Sequence, residues 1–190
     1  MRRMLVFSLV FSVSVAVLAL LGLGQAKAAE FSADMIIAPK GDEPMKGKIF
    51  VKGDKVRQET VEEDETQIMI IRPDKKTTWM ITPAEKTYME MPYQSEDKTF
   101  EEWTAEKEKK AKLLGEETVS GMSCKKYETL EDGEKTFFWI STQFPFPIKV
   151  EDSEVTMEYQ NIKLGPLEDS LFELPAGYEK MAMPVVPQKE

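Results

Sequence analysis

The chain contains no histidine and a single cysteine, Cys124, among 190 residues. Without histidine there is no Ser-His-Asp or Cys-His constellation, no ordinary general base near neutral pH and no common zinc site. A lone cysteine cannot close an internal disulfide, so packing alone must hold the fold. Cys124 lies in "GMSCKKYE" beside Lys125 and Lys126. In a strand Lys125 points away from it, and the expected role of the thiol is that of a small core residue. A glycine-rich phosphate loop, a calcium-loop spacing and internal repeats are also missing. Basic residues are scarce, with 25 Lys and Arg against 34 Asp and Glu. That balance argues against charge-driven binding to nucleic acid or anionic headgroups. Carboxylates are plentiful but unpatterned: Glu62, Glu63, Asp64 and Glu65 read as a solvated loop, and no two stand out as acid and base. Met-x-Met at Met89 and Met91, and again at Met181 and Met183, suits copper(I), but without histidine or a second cysteine such a site is weak. The expectation is a protein that is not an enzyme, with no metal and no cofactor.

What is present begins with "MRRMLVFSLVFSVSVAVLALLGLGQAKAAE". Arg2 and Arg3 precede an uncharged apolar run from Leu5 to Leu23, and Ala26-Lys27-Ala28 follows it. That order predicts a secretory signal over residues 1–28, cleaved after about Ala28, with an uncleaved membrane anchor as the competing reading. Cleavage would leave residues 29–190 as a single exported domain in an oxidising compartment and remove Arg2, Arg3 and Lys27. The remainder would carry 22 basic against 34 acidic residues, a net charge of −12.

Strand-forming runs then fill most of the chain: "EFSADMIIA", "GKIFVKGDKVRQETV", "QIMIIRPDKKTTWMITPAEKTYMEM", "GMSCKKYETLEDGEKTFFWIS" and "PIKVEDSEVTMEYQNI". Turns at Lys-Gly-Asp, Arg-Pro-Asp, Thr-Pro-Ala, Glu-Asp-Gly and Glu-Asp-Ser separate them. The spacing predicts a mainly β fold, an antiparallel meander of about ten strands. One helix is predicted in "KTFEEWTAEKEKKAKLLG", with Thr99 and Glu102 as a capping box, Phe100, Trp103, Ala111 and Leu114 on its apolar stripe, and Gly115 closing it. The segment "LGPLEDSLFELPAGYEKM" reads as a short helical turn followed by extended chain, and "PVVPQKE" as a loose end.

The middle run carries large apolar side chains on both faces. Four-residue turns at Pro73–Lys76 and Pro83–Lys86 oppose Ile70 to Trp79, Ile68 to Ile81, and Ile81 to Tyr88. One face then bears Ile68, Ile70, Trp79, Ile81 and Tyr88. The other bears Met69, Ile71, Met80, Met89 and Met91. "TFFWIS" doubles in the same way, with Phe137 and Trp139 on one side and Phe138 and Ile140 on the other. An ordinary antiparallel sheet wets one face. A sheet that is apolar on both must curl around a core, keep a hollow for an apolar ligand, or present a face to a partner. Flexible thioethers favour a surface that accepts varied apolar shapes.

"GKIFVKGDKVRQE", "IIRPDKKTTWMITPAEKTY" and the closing "LFELPAGYEKM" resemble the LolA/LolB-like superfamily of periplasmic lipoprotein carriers and their uncharacterised relatives, over about Phe31 to Met181. The resemblance implies an unclosed antiparallel half-barrel with helix on its concave side, and a hollow that receives acyl chains of lipids or lipoproteins. The carrier proper has an Arg-Pro at the turn between its second and third strands, where this chain has Lys52-Gly53-Asp54, and aromatic residues where it has Val56 and Gln58. The candidate lining is Ile68, Ile70, Trp79, Ile81, Tyr88, Phe138, Ile140 and Trp103, with the Trp79 side as the interior. Met69, Met80, Met89 and Met91 form a second apolar face. Arg57 and Arg72 are candidates for contact with a phosphate or carboxylate headgroup, with ion pairing to nearby carboxylates as the competing role. The expected partners are lipid or lipoprotein acyl chains bound by a monomer, or else membrane-associated protein partners that dock on an apolar sheet face.

Overall fold

The computed structural model describes residues 30–62, 65–93, 102–131 and 133–182. The proposed signal segment, Glu63 and Asp64 of the acidic loop, the predicted capping residue Thr99, the stripe residue Phe100, Met183 and the whole of the C-terminal "PVVPQKE" fall outside them. Among the described residues twelve strands, two more than expected, join in a single sheet that does not close into a barrel. In chain order they are β1 (Glu30–Pro39), β2 (Met45–Lys52), β3 (Lys55–Glu62), β4 (Glu65–Arg72), β5 (Thr77–Thr82), β6 (Thr87–Pro92), β7 (Lys112–Val119), β8 (Met122–Glu131), β9 (Glu134–Ile140), β10 (Pro147–Glu151), β11 (Val155–Leu164) and β12 (Glu179–Lys180). The spatial order is β12-β6-β5-β4-β3-β2-β1-β11-β10-β9-β8-β7. Two meanders thus meet where β1 lies between β2 and β11. All pairings are antiparallel except β12 with β6, which is parallel.

The turns follow from local chemistry. Pro73 and Pro83 fix the first turn residue, and Lys76 and Lys86 close each loop in the left-handed region at φ 54° and 52°. Both lysine N–H groups donate back to the proline carbonyls, at 3.0 and 3.2 Å. These loops set the register that the apolar pattern requires: Ile68 faces Ile81, Ile70 faces Trp79, Met80 faces Met89, and Ile81 faces Tyr88.

The predicted helix is shorter than its sequence pattern. Among its described residues only α1 (Ala105–Lys110) is helical, capped by Thr104, whose Oγ1 accepts from the Lys107 N–H at 3.3 Å. Leu113, Leu114 and Gly115 leave the helix for β7, where pairing with β8 outweighs helix propensity. Gly115, with φ 152°, sits at a register shift in that ladder rather than at a helix end.

One core gathers Phe31, Ala33, Met35, Ile49 and Val51 with Tyr159, Ile148, Phe144 and Phe146. Phe31 meets Phe144 edge-on at 4.7 Å. Cys124 is buried in the same cluster at 1% exposure, and burial pushes its thiol pKa up, which suits a packing role rather than a reactive one. At Gly47 a Cβ would stand 2.3 Å from the backbone oxygen of Glu59. Gly47→Ala must push β2 and β3 apart, and urea unfolding is expected to show a loss of about 1–3 kcal/mol.

Candidate functional site

Following the ladder from strand to strand assigns every apolar group to a face. Met69 opposes Met80 and Gln58, and Gln58 opposes Ile49. Ile49 opposes Ala33, Met35 opposes Tyr159, Met157 opposes Val150, and Val150 opposes Phe138. The methionine face is therefore the face of Tyr159, Met157 and Phe138. Trp79 lies on the other face, with Ile70, Arg57 and Phe50.

That other face is not hollow. Ile68, Ile70, Trp79 and Ile81 pack around Phe172, which is fully buried, with Leu167, Leu171, Leu174, Tyr178, Phe50 and Tyr88 at the margins. The cover is the chain's own C-terminal strap, residues 165–181, which makes a 3₁₀ turn at Asp169–Phe172 and then joins the sheet edge as β12. The Trp79 side, expected to be the interior lining, is thus occupied by protein side chains.

Arg57 and Arg72 make ion pairs with neighbouring carboxylates and hydrogen bonds to the strap, the competing role given to them above. Arg72 is only 3% exposed. Its Nη1 donates to the Phe172 carbonyl at 2.8 Å and to Glu173 Oε1 at 2.6 Å, while Nε and Nη2 fork onto Asp74 at 2.8 and 2.7 Å. Arg57 donates to the Leu171 carbonyl at 3.1 Å and to Glu59 at 2.8 Å. Lys52 reaches the Leu167 carbonyl and Asp169, and Lys75 reaches Glu173. The hydrogen bond from Arg72 holds the Asp74 carboxyl down at about 2, and Lys75 followed by Arg72 lowers that of Glu173.

The methionine face does hold a cavity, at its β8–β11 end. A hollow of about 730 Å³ lies over Phe138, Phe146, Val150, Met157 and Tyr159, with Trp103 and the α1 residues Glu106, Lys107 and Lys110 at its side. Thr129 and Thr136, an opposed pair, and Glu131 complete the rim. The volume falls in the usual range of small-molecule sites, about 300–1,000 Å³. Of the residues chosen from sequence, Phe138 and Trp103 line this hollow, and Ile140 joins Trp103 in an adjoining recess. Trp103 is held by its backbone N–H, which donates to the Pro145 carbonyl at 2.9 Å, and its ring lies 5.2 Å from Tyr127 and 5.1 Å from Phe138. Tyr127 donates to Glu108 of α1, and burial with that carboxylate raises the phenol to about 12. Met69, Met80, Met89 and Met91 are half-buried further along the same face.

Met157, Tyr159, Val150 and Phe146 were missed from sequence. Met157 and Tyr159 alternate in "TMEYQ", but only their pairing across β1 and β10 reveals which way they face. On the reverse side of the β8–β10 region the apolar surface is dressed by lysines. Lys126 and Lys149 lie 4.5 and 4.3 Å from the Trp139 ring centre, and the Trp139 indole N–H donates to Glu117 at 2.7 Å.

The family model of a domain of unknown function, DUF4412, matches residues 33–145. Among solved structures, an uncharacterized conserved protein from Thermus thermophilus is similar at 13% identity and a TM-score of 0.60, over 81% of this chain and 90% of that one. MucB, crystallised in complex with MucA(peri), is similar at 14% identity and a TM-score of 0.51, over 76% of this chain and 54% of MucB, so the likeness spans about half of that protein. A LolA superfamily protein from Nitrosomonas europaea matches at 12% identity and a TM-score of 0.39, over 77% of this chain and 90% of that one. At these identities the likeness concerns the fold. No curated protein matches the sequence.

Proposed function

Because the chain belongs to the DUF4412 family and folds as an open LolA-like half-barrel, we propose that it is a non-catalytic binding protein for apolar ligands, carrying acyl chains of lipids or lipoproteins. The observation that carries this reading is the hollow of about 730 Å³ floored by Phe138, Val150, Met157 and Tyr159. A cavity with an apolar floor is filled favourably by hydrocarbon, because each buried methylene contributes about 0.8 kcal/mol. The N-terminal pattern supports export to the periplasm with cleavage after about Ala28, and residues 29–190 as the working domain.

The test is mass spectrometry of organic extracts from protein purified gently from its own host, paired with titration of the apolar dye N-phenyl-1-naphthylamine. Lipid is expected in roughly stoichiometric amount with the protein. Phe138→Asp places a carboxylate on the floor, and at unchanged circular dichroism it is expected to weaken dye binding at least tenfold. An empty extract together with no dye binding would end the proposal.

A second reading, docking of a protein partner, is favoured by the outer edge of β7. There Leu113 and Leu114 are 52% and 42% exposed, and the strand has no neighbour on that side among the described residues. MucB, crystallised with MucA(peri), offers a precedent for a partner on this fold. Under this reading Leu113→Lys abolishes partner capture and leaves dye binding intact.

A further inference from the structure

The two Met-x-Met motifs, far apart in the sequence, send Met89 and Met181 to one place. Met69 stands opposite Met80, and Met80 opposite Met89. The strap extends this line by one more strand. β12 runs beside β6 with Glu179 against Thr87 and Lys180 against Tyr88, and the Met181 N–H donates to the Tyr88 carbonyl at 2.8 Å. That bond carries the parallel ladder one residue further and sets Met181 beside Met89. Lys180 reaches Glu90, the partner of Trp79, so alternation turns Met181 to the methionine face. Met69, Met80, Met89 and Met181 thus form a row across β4, β5, β6 and the end of the strap, with Met91 next along β6 on the same face. Neither buried core uses this row: none of its members packs with the cluster around Phe31 or the ring around Phe172. Met69, Met80 and Met89 are half-buried and Met181 is 49% exposed. Their neighbours on that face, Gln58, Gln67, Thr78 and Thr82, are neutral.

We infer that this row is a binding site for a soft monovalent metal ion, copper(I), held by consecutive thioethers. A single Met-x-Met pair offers two sulfurs from one strand and is a weak site, whereas the ladder gathers sulfurs from neighbouring strands. Thioethers are soft, uncharged donors suited to copper(I), and they do not close to disulfides as thiolates do in oxidising surroundings. Neighbouring strands lie about 4.8 Å apart, so the outer two of three consecutive methionines start about 10 Å from each other. Flexible side chains leaning inward bring those sulfurs onto one ion above the middle residue. The neutral flanks do not repel a cation and supply no carboxylate for a harder one. Among the described residues no group of three Asp, Glu or Cys side chains is placed to hold a metal, so zinc(II) and calcium have no comparable set of ligands there. The row lies at the β4–β6 end of the methionine face, apart from the hollow over β9–β11, and its occupation ties the end of the strap to the sheet through Met181.

The experiment titrates the full chain under argon with the acetonitrile complex of copper(I), and with silver(I) as a redox-inert stand-in, by calorimetry and by the ¹H–¹³C resonances of the methionine ε-methyl groups. Both ions are expected to bind in a one-to-one ratio and to shift the methyls of Met69, Met80, Met89 and Met181, while that of Met157 in the hollow stays in place. Zinc(II) and calcium leave all of them unmoved. The double change Met80→Leu with Met89→Leu keeps the apolar volume and is expected to weaken both soft ions about tenfold or more. Met122→Leu, outside the row, leaves their affinity unchanged. No heat with unshifted row methyls, shifts confined to other methionines, or a double variant that binds as well as Met122→Leu would each overturn the inference. The methyl shifts are read on the native chain, so a variant that fails to fold does not shelter it. The hollow is decided separately by the dye titration, since its floor contains none of the four.

Discussion

Phe172→Ala is expected to lower the unfolding free energy by about 3–5 kcal/mol, the usual result of emptying a fully buried phenylalanine site. The side chain is the plug of a ring made by Ile68, Ile70, Trp79 and Ile81, and it is the one fully buried residue that the strap supplies to that ring. Neighbouring Leu171 and Leu174 are only half-buried, so they cannot close the space. Chemical unfolding followed by circular dichroism measures the loss. A companion signal is anilinonaphthalene sulfonate fluorescence, which rises in native conditions as the strap opens and bares the Trp79 face. A change below about 1 kcal/mol would mean that the strap contributes little and that the face is stable uncovered.

Arg72→Met is the second large effect, expected to cost about 2–3 kcal/mol. Methionine preserves much of the buried stem and removes the guanidinium fork. The Phe172 carbonyl then loses its donor, while Asp74 and Glu173, at 41% and 45% side-chain exposure, stay solvated and spare the variant the full penalty of stranded buried charges. The pH dependence has a definite sign. Asp74 titrates at about 2 in the folded chain, below the ordinary carboxylate value of about 4. Its contribution is therefore complete above about pH 4 and is lost as the pH falls toward 2. Glu173 acts in the same direction, with Lys75 as the larger cause. The native chain should lose stability across that acid window, and Arg72→Met should lose visibly less, because only the Lys75 contact to Glu173 remains. Parallel acid profiles for the two proteins would show that the fork does not couple to folding.

Local pattern was enough to read the β4–β5–β6 meander, because two Pro-x-x-Lys turns fix its register and a one-residue slip would scramble both faces. Ile68 against Ile81 and Met80 against Met89 follow directly. The short helical turn in "EDSLFEL" and the extended segment after it were equally legible. The identity of the covered face was not. Arg72 and the Phe172 carbonyl are 100 residues apart, and nothing in either segment names the other. The same limit hid the hollow, whose floor combines β9, β10 and β11 with Trp103 from the segment before α1. Helix length failed for a different reason. The stripe through Leu114 is real, but β8 offers those residues a ladder that an isolated helix cannot match.

The position of β1 in the sheet governs when the molecule can assemble. It pairs with β2 almost at once, yet its other neighbour, β11, lies more than 100 residues onward, with Phe31 opposite Leu164. Until β11 has been made, β1 presents a raw, hydrogen-bond-hungry margin with no native mate. Such distant closure is slow, and the waiting ribbon is open to wrong pairings with other copies. The centre of the sheet is therefore completed only once β11 is available, and a chain cut short before β11 has no means of finishing it.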